Sequence, residues 1–302
     1  MDSLVSIITI NYNQLQYTCE LLDSLRRSAY KNIEVIVVDN GSKENPKAII
    51  NERYPEVNVI VSSKNLGFAG GNNLGIQAAQ GKYLFFLNND TEIDTNTFQP
   101  LISLFESAAD AGVASPKILY FNSDETIQYV GCSNINPYTG RNRREGFKEK
   151  DQGQYDTLRT TDLAHGAAMM VPRHVIDQVG LMPELFFLYY EELDWCETIK
   201  DAGFKIYVVP ESKIYHKESM SVGKNSTLKT YYMTRNRLLF MRRHTSGVMK
   251  LSWILFFIFI SVPKNSLKFL LRREMKHLKA FWKGSLWNIT HHSNGRRLML
   301  SV

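Results

Sequence analysis

Continuous apolar, β-branched runs alternate with helix-period segments through the first part of the chain. The succession is Val5 to Ile10, Leu15 to Leu25, Ile33 to Val38, Ala48 to Arg53, Val57 to Val61, Gly71 to Ala79 and Tyr83 to Leu87. Strand runs without polar alternation suit a sheet covered on both faces, and the helices between them supply the crossovers that parallel strands require. The pattern predicts an α/β, doubly wound, mostly parallel sheet. In such sheets ligands bind beyond the carboxyl ends of the strands. The informative residues are therefore those that end each run: Thr9 to Asn11, Asp39-Asn40-Gly41-Ser42, Ser62 to Asn65, and Asn88-Asn89-Asp90.

From about Gly112 to Arg159 the periodicity breaks into short strands and polar loops. Order returns at Leu163 to Val171, followed by the aromatic run Phe186 to Tyr190. Glu191-Glu192-Leu193-Asp194-Trp195 then opens a helix to Ala202, Gly203 stops it, and Phe204 to Val209 reads as a further strand.

A 302-residue chain with 44% hydrophobic and 22% charged residues has an ample core and is not a disordered polymer. Cys19, Cys132 and Cys196 show neither paired nor metal-ligand spacing, which suits a reducing compartment. The first residues run straight into an apolar segment with no basic leader, and the expectation is an intracellular protein. The net charge of +6 conceals an asymmetry. From Lys224 onward there are 16 Lys and Arg against one acid, Glu274, whereas the preceding residues hold 20 basic and 29 acidic side chains. Within this basic region Leu251 to Val262 is the most apolar run, a dozen residues that fall short of the roughly 20 needed to span a bilayer. After Pro263, a helix would set Leu267, Leu270, Leu271, Met275, Leu278, Phe281, Trp282 and Leu286 on one face. Lys268, Arg272, Arg273, Lys276, Lys279 and Lys283 would fall on the other. That pattern predicts a segment lying on an anionic membrane surface. No nucleic-acid-binding module is present, so nucleic acid is not an expected partner.

Three acidic points stand at loop or helix starts: Asp39, Asp90 and the Glu191, Glu192, Asp194 cluster. Each has a plain structural explanation, since Asn and Asp favour turns and acids complement a helix N-terminus. Each also fits chemistry at a strand end. The Gly67 to Gly75 stretch lacks Gly-x-Gly-x-x-Gly spacing and follows the third strand, which argues against a nicotinamide-dependent oxidoreductase.

Taken together, Val37-Val-Asp39-Asn-Gly-Ser42, Asn65-Leu-Gly-Phe-Ala-Gly-Gly-Asn-Asn-Leu-Gly75, Phe85-Phe-Leu-Asn-Asn-Asp90 and Tyr190-Glu-Glu-Leu-Asp194 resemble the ordered motifs of family-2 glycosyltransferases. The similarity is to the rhamnosyltransferase-like branch, and it covers about Ser3 to Tyr232. It implies the Rossmann-like GT-A fold, with a donor half at about 1–110, an acceptor half at about 111–223 and a C-terminal helical membrane-associating region at 224–302.

The resemblance also implies roles for residues. Asp90 would bind a divalent cation, Mn²⁺ or Mg²⁺, with His216 helping, while Asn88 replaces the first acid of the family's Asp-x-Asp motif. Asp39 would accept a hydrogen bond from a uracil or thymine ring, framed by Thr9 and Asn11. Asn65, Gly67, Asn72, Asn73, Asn88 and Asn89 would lie beside the donor's ribose and phosphates. Glu192 is the candidate base of an inverting mechanism, with Glu191 and Asp194 as alternatives, and crowding of three acids near aromatics would raise at least one pKa. His165, Tyr190 and Trp195 would line the acceptor side. The implied activity is transfer of a sugar, with rhamnose as a candidate, from a dTDP- or UDP-sugar to a lipid-linked or growing cell-surface glycan. It would take place on the cytoplasmic side of the plasma membrane, with the protein peripheral or monotopic. The alternative is a catalytically inactive relative that acts as a membrane scaffold for glycan assembly.

Overall fold

The computed structural model describes residues 2–217 and 226–291. Lys224, Arg296 and Arg297 of the basic region, and Glu218 and Ser219 after His216, lie outside the described residues. The chain divides into two compact units, one of residues 1–133 and 143–221, the other of residues 134–142 and 222–302.

The first unit is built on a ten-stranded mixed sheet. Strands β1 (Val5–Asn11), β2 (Ile33–Asn40), β3 (Val57–Ser62) and β4 (Tyr83–Leu87) run parallel in the order β3-β2-β1-β4, as the apolar runs predict. Helices α1 (Leu15–Arg26), α2 (Lys47–Arg53) and α3 (Gly67–Ala78) make the crossovers. Close approach of α3 to the sheet depends on Gly75, where a Cβ would lie 2.3 Å from Ile8 Cγ2. The short β5 (Thr91–Ile93) and helix α4 (Phe98–Ser107) follow.

The stretch from Gly112 is more ordered than its pattern suggests. Ala111–Tyr120 is a ten-residue strand, β6, with nine of its positions buried. Its apolar run is interrupted by Pro116 and Lys117, and tertiary structure accommodates both. Pro116 sits where the pairing of β6 with β10 (Lys205–His216) jumps from Val209 to Lys213, at a bulge that relieves the missing N–H. Lys117, fully buried, is held by Asp151 at 2.7 Å and Asp156 at 2.5 Å, which also pins the charged loop to the sheet. Small strands β7 (Ile127–Tyr129) and β8 (Arg159–Thr161) pair with β6 and β10. β9 (Ala168–Pro172) inserts antiparallel between β4 and β6. Helices α5 (Arg173–Val179) and α6 (Glu191–Asp201) complete the unit. β10 continues well beyond Val209, and that extension carries His216 to the antiparallel edge with β5.

The second unit contains α7 (Thr227–His244), α8 (Gly247–Phe256), α9 (Val262–Leu271) and α10 (Met275–Thr290). Two expectations change here. Pro263 does not end the apolar run: a π-helical turn over Phe257–Ser261 leads into it, and this wider turn accommodates a residue without an N–H inside the helix. Gly247–Leu271 is thus one helix of 25 residues, long and apolar enough to cross a membrane. The amphipathic helix expected through Leu286 is instead two helices, broken at Arg273, which adopts left-handed backbone with φ 56°. α10 packs along α7, with Asn288 Nδ2 donating to Arg235 O at 2.9 Å and Arg235 stacked on Trp287 at 4.4 Å. Phe281 is buried beside Phe257 and Phe269, while Met275, Trp282 and Leu286 remain exposed.

Candidate active site

The carboxyl ends of β1 and β2 lie in register, Asn11 opposite Asp39. Asn11 Nδ2 donates to Asp39 Oδ1 at 2.8 Å, and the Ser42 N–H donates to Asp39 Oδ2 at 3.2 Å. Asn11 also accepts from Thr18 Oγ1 at 2.9 Å, and Thr18 accepts from Asn89 Nδ2 at 3.1 Å. One chain of hydrogen bonds therefore joins Asp39 to the Asn88-Asn89-Asp90 turn. Asn11 spends its amide bracing Asp39 rather than facing a pocket. Thr18, on α1, carries no signal in the sequence, because only the packing of α1 under the turn makes it the link. Thr9 Oγ1 is enclosed and lacks a hydrogen-bond partner among the described residues, which leaves an unmet polar group at this end of the sheet.

Asp90 follows β4 in a buried turn, and its Oδ1 lies 3.1 Å from His216 Nε2. On the far side of the ring, His216 Nδ1 lies 2.7 Å from Gln128 Oε1. With that amide oxygen facing it, Nδ1 carries the N–H and donates. Nε2 then faces the carboxylate oxygen, and the two atoms are donors of the kind that one cation can share. Among the described residues no group of three or more His, Cys, Asp or Glu side chains converges as a metal cage. A hard divalent cation held by one or two protein ligands completes its shell from substrate phosphates and water, so this pair fits half of a shared site. Gln128, which orients the ring, had no sequence signature.

His165 stands between Tyr129 and His216, with ring centroids 5.5 and 6.1 Å away. Its Nδ1 accepts the Ala167 N–H at 3.1 Å. Burial, aided by His216 and Arg144, pushes its pKa down to about 3, so the ring is neutral. The adjoining Gly166 packs against the Glu192 side chain: a Cβ there would lie 3.5 Å from Glu192 Cδ. The segment from His165 to Ala167 thus stands between the Asp90 turn and the start of α6, and Asn88 N–H donates to Ala167 O at 2.9 Å.

Glu191, Glu192 and Asp194 occupy the first turn of α6. Glu192 is partly exposed, yet its Oε2 is enclosed and accepts no hydrogen bond among the described residues. Burial raises its pKa from 4.5 to about 7, against the pull of the Glu192 and Tyr190 backbone N–H groups. The expected upward shift is present, but desolvation rather than acid crowding is its cause. Tyr189 is raised to about 12, by burial first and then by Glu191 and Glu192.

Several expected site residues are packed against the protein itself. Trp195 is buried at 1% exposure, edge-on to Phe86, with its indole N–H donated to Gly180 O at 3.0 Å; it is core and presents no face to an acceptor. Tyr190 is buried as well. Asn65 Oδ1 accepts from the Gly67 N–H at 2.8 Å, Asn72 donates to Phe68 O at 3.1 Å, and Asn73 bonds Met182 and Glu184. Those amides shape the backbone. Gly67, at φ 76°, is closed against Phe187 O rather than open to a ligand.

The Glycosyl transferase family 2 profile matches residues 6–178. The chain is 25% identical over 305 residues to the dTDP-rhamnosyl transferase RfbF of Shigella flexneri, covering 94% of this chain and 96% of that one. It is 28% identical over 244 residues to the low-salt glycan biosynthesis hexosyltransferase Agl10 of Haloferax volcanii, covering 79% and 75%. With the N-acetylglucosaminyl-diphospho-decaprenol L-rhamnosyltransferase of Mycobacterium tuberculosis it shares 21% over 273 residues, covering 82% and 87%. Among solved structures, GalNAc-T7 with UDP, GalNAc and Mn²⁺ superposes with a TM-score of 0.61 at 16% identity, over 84% of this chain and about half, 54%, of that one. The Pyrobaculum calidifontis mannosyltransferase PcManGT with GDP-Man and Mn²⁺ gives 0.58 at 12% identity, over 96% and 88%. The motifs, the mixed sheet and these matches agree: the chain belongs to glycosyltransferase family 2, is of the rhamnosyltransferase-like type, and has the GT-A fold.

Proposed function

We propose that this chain is an inverting glycosyltransferase that moves a sugar, with rhamnose the first candidate, from a dTDP- or UDP-sugar to a lipid-linked or growing cell-surface glycan. The observation that carries the mechanism is Glu192: a carboxyl with an enclosed oxygen and a pKa near 7 suits a base working at neutral pH. In the transfer, Glu192 takes the proton of the acceptor hydroxyl as that oxygen bonds to the anomeric carbon from the face opposite the leaving group. The bond from the anomeric carbon to the diphosphate breaks, and its electron pair leaves on the diphosphate oxygen. Glu191 and Asp194 are buried in the same helical turn.

Asp90 and His216 would hold Mn²⁺ or Mg²⁺. Such an ion supplies positive charge to the diphosphate as it departs. Asp39, braced by Asn11, would accept from the imide N–H of the uracil or thymine ring. His165, neutral and with Nε2 carrying its proton, would donate to an acceptor hydroxyl or its sugar. Support for the donor comes from RfbF, named for dTDP-rhamnosyl transfer, and support for a lipid-linked acceptor from the decaprenol-directed relative. The exposed apolar side chains of Gly247–Leu271, among them Val248, Leu251 and Phe259, fit peripheral or monotopic attachment to a membrane. We place that attachment on the cytoplasmic side of the plasma membrane.

The test is sugar transfer from dTDP-rhamnose and UDP-N-acetylglucosamine to polyprenyl-diphosphate-linked sugar, by wild type and Glu192→Gln with Mn²⁺. Loss of transfer in Glu192→Gln is the expected result, with a fall of about 10²–10⁴-fold. A fully active Glu192→Gln moves the base to Glu191 or Asp194. A wild type silent on every donor, though folded, favours the inactive scaffold.

A further inference from the structure

The backbone that leads into α6 is held in an unusual state. Phe187, Tyr189 and Tyr190 all have left-handed backbone, with φ of 65°, 68° and 78°. Non-glycine residues persist there only where surrounding structure over-determines them, and such strain gathers at working sites. The N-cap of α6, Tyr190, makes no side-chain cap hydrogen bond. The path of this turn determines the direction in which α6 presents Glu192.

What sets it is α3. Phe68 N–H donates to Phe187 O at 2.7 Å. Gly67 approaches so closely that a Cβ would lie 2.1 Å from the same oxygen, so no other residue fits without moving the turn. A few residues earlier, the buried amide of Asn73 grips the chain from both sides. Its Oδ1 accepts the Met182 N–H at 3.0 Å, and its Nδ2 donates to Met182 O at 3.0 Å and to Glu184 Oε1 at 2.9 Å. Asp at this position would oppose a carboxylate to two acceptors, and an apolar residue would leave the Met182 groups unmet. Asn supplies both the acceptor and the donors.

We infer that Asn73 is a positioning residue: with Gly67 it clamps the segment from Met182 to Phe187 onto α3, and so fixes the strained turn that aims Glu192. The function rests on Glu192 being the base. The clamp itself does not, and its test separates the two.

Two variants are compared with wild type in the full-length protein. Asn73→Ala removes the whole grip, and Glu184→Ala removes one bond at an exposed side chain and leaves the fold intact. With dTDP-rhamnose as donor, Asn73→Ala lowers kcat about 10- to 100-fold while donor KM stays within about twofold, because a misaimed base costs rate and not donor affinity. Glu184→Ala shows the same split at about three- to fivefold. By hydrogen exchange, amides of residues 187–191 exchange at least about tenfold faster in Asn73→Ala, while those of β1 and β2 are unchanged. A raised donor KM with unchanged kcat overturns the inference in favour of donor contact. Exchange that quickens equally throughout overturns it in favour of general stabilisation. If Glu192→Gln turns over normally, the base assignment falls and hydrogen exchange alone decides the clamp. If Glu192→Gln is inactive while Asn73→Ala matches wild type in kcat and exchange, the base stands and the clamp is wrong.

Discussion

Replacing Glu192 by Gln should raise stability and abolish activity, with a pH dependence that reports the burial of the carboxyl. In the folded protein its pKa stands at about 7, against 4.5 for the ordinary side chain. A difference of that size corresponds to about 3 kcal/mol at roughly 1.4 kcal/mol per unit, and partial exposure of the side chain reduces it to about 1–3 kcal/mol. Below pH 4.5 the carboxyl is protonated in the folded and unfolded chains alike. As pH rises from 4.5 the unfolded chain releases its proton first, while the native protein retains it until about 7. Wild type therefore loses stability across that window, and the loss is complete above it. Gln keeps the shape and carries no charge, so the variant lacks this slope. Measured by differential scanning fluorimetry, the Tm of Glu192→Gln relative to wild type should climb by about 2–8 °C between pH 5 and pH 8. Over the same range wild-type transfer should rise to half its maximum near the pKa of about 7. A Tm difference that is flat in pH would refute the reasoning, because it would mean that the carboxyl ionises as a solvated group.

Asp90→Asn should remove the metal-dependent part of nucleotide stabilisation: dTDP or UDP at about 100 times Kd contributes about 2.7 kcal/mol to the wild type, and thermal shift with and without Mn²⁺ measures what is lost. Gly75→Ala, with a Cβ 2.3 Å from Ile8 Cγ2, should cost about 1–3 kcal/mol by urea denaturation; a neutral result would show that α3 can lift from β1. Phe259→Asp, at a side chain 69% exposed, should leave Tm unchanged and weaken sedimentation with liposomes about tenfold. Unchanged partitioning would exclude this helix face from membrane contact.

Much of the fold through β4 was legible because its information is local. Buried parallel strands read as unbroken apolar runs, and a turn at each strand end must be made of Asn, Asp, Gly and Ser; β1 to β4 follow directly from those two constraints. The acidic points at Asp39, Asp90 and Glu191 to Asp194 are visible on the same grounds. β6 was not legible, because Pro116 and Lys117 are tolerated only by a bulge in β10 and by Asp151 and Asp156, residues distant in sequence. The roles of amides were the least readable. Asn65, Asn72 and Asn73 look alike beside Asn88 and Asn89, and only the folded chain shows which of them bind its own backbone.

The sequence by itself determined the parallel strands β1 to β4, the family and the residue types offered at each strand end, since these depend on periodicity and on motifs a few residues long. Tertiary structure alone decided that Thr18 joins Asn89 to Asn11, that Gln128 orients the imidazole of His216 and that Asn73 grips Met182. It also decided that Gly247–Leu271 is a single helix through Pro263. The physical reason is the same throughout. A hydrogen bond or a burial cost depends on which atoms lie within about 3 Å, and a pair such as Asn73 and Met182, 109 residues apart, is brought that close only by the completed fold.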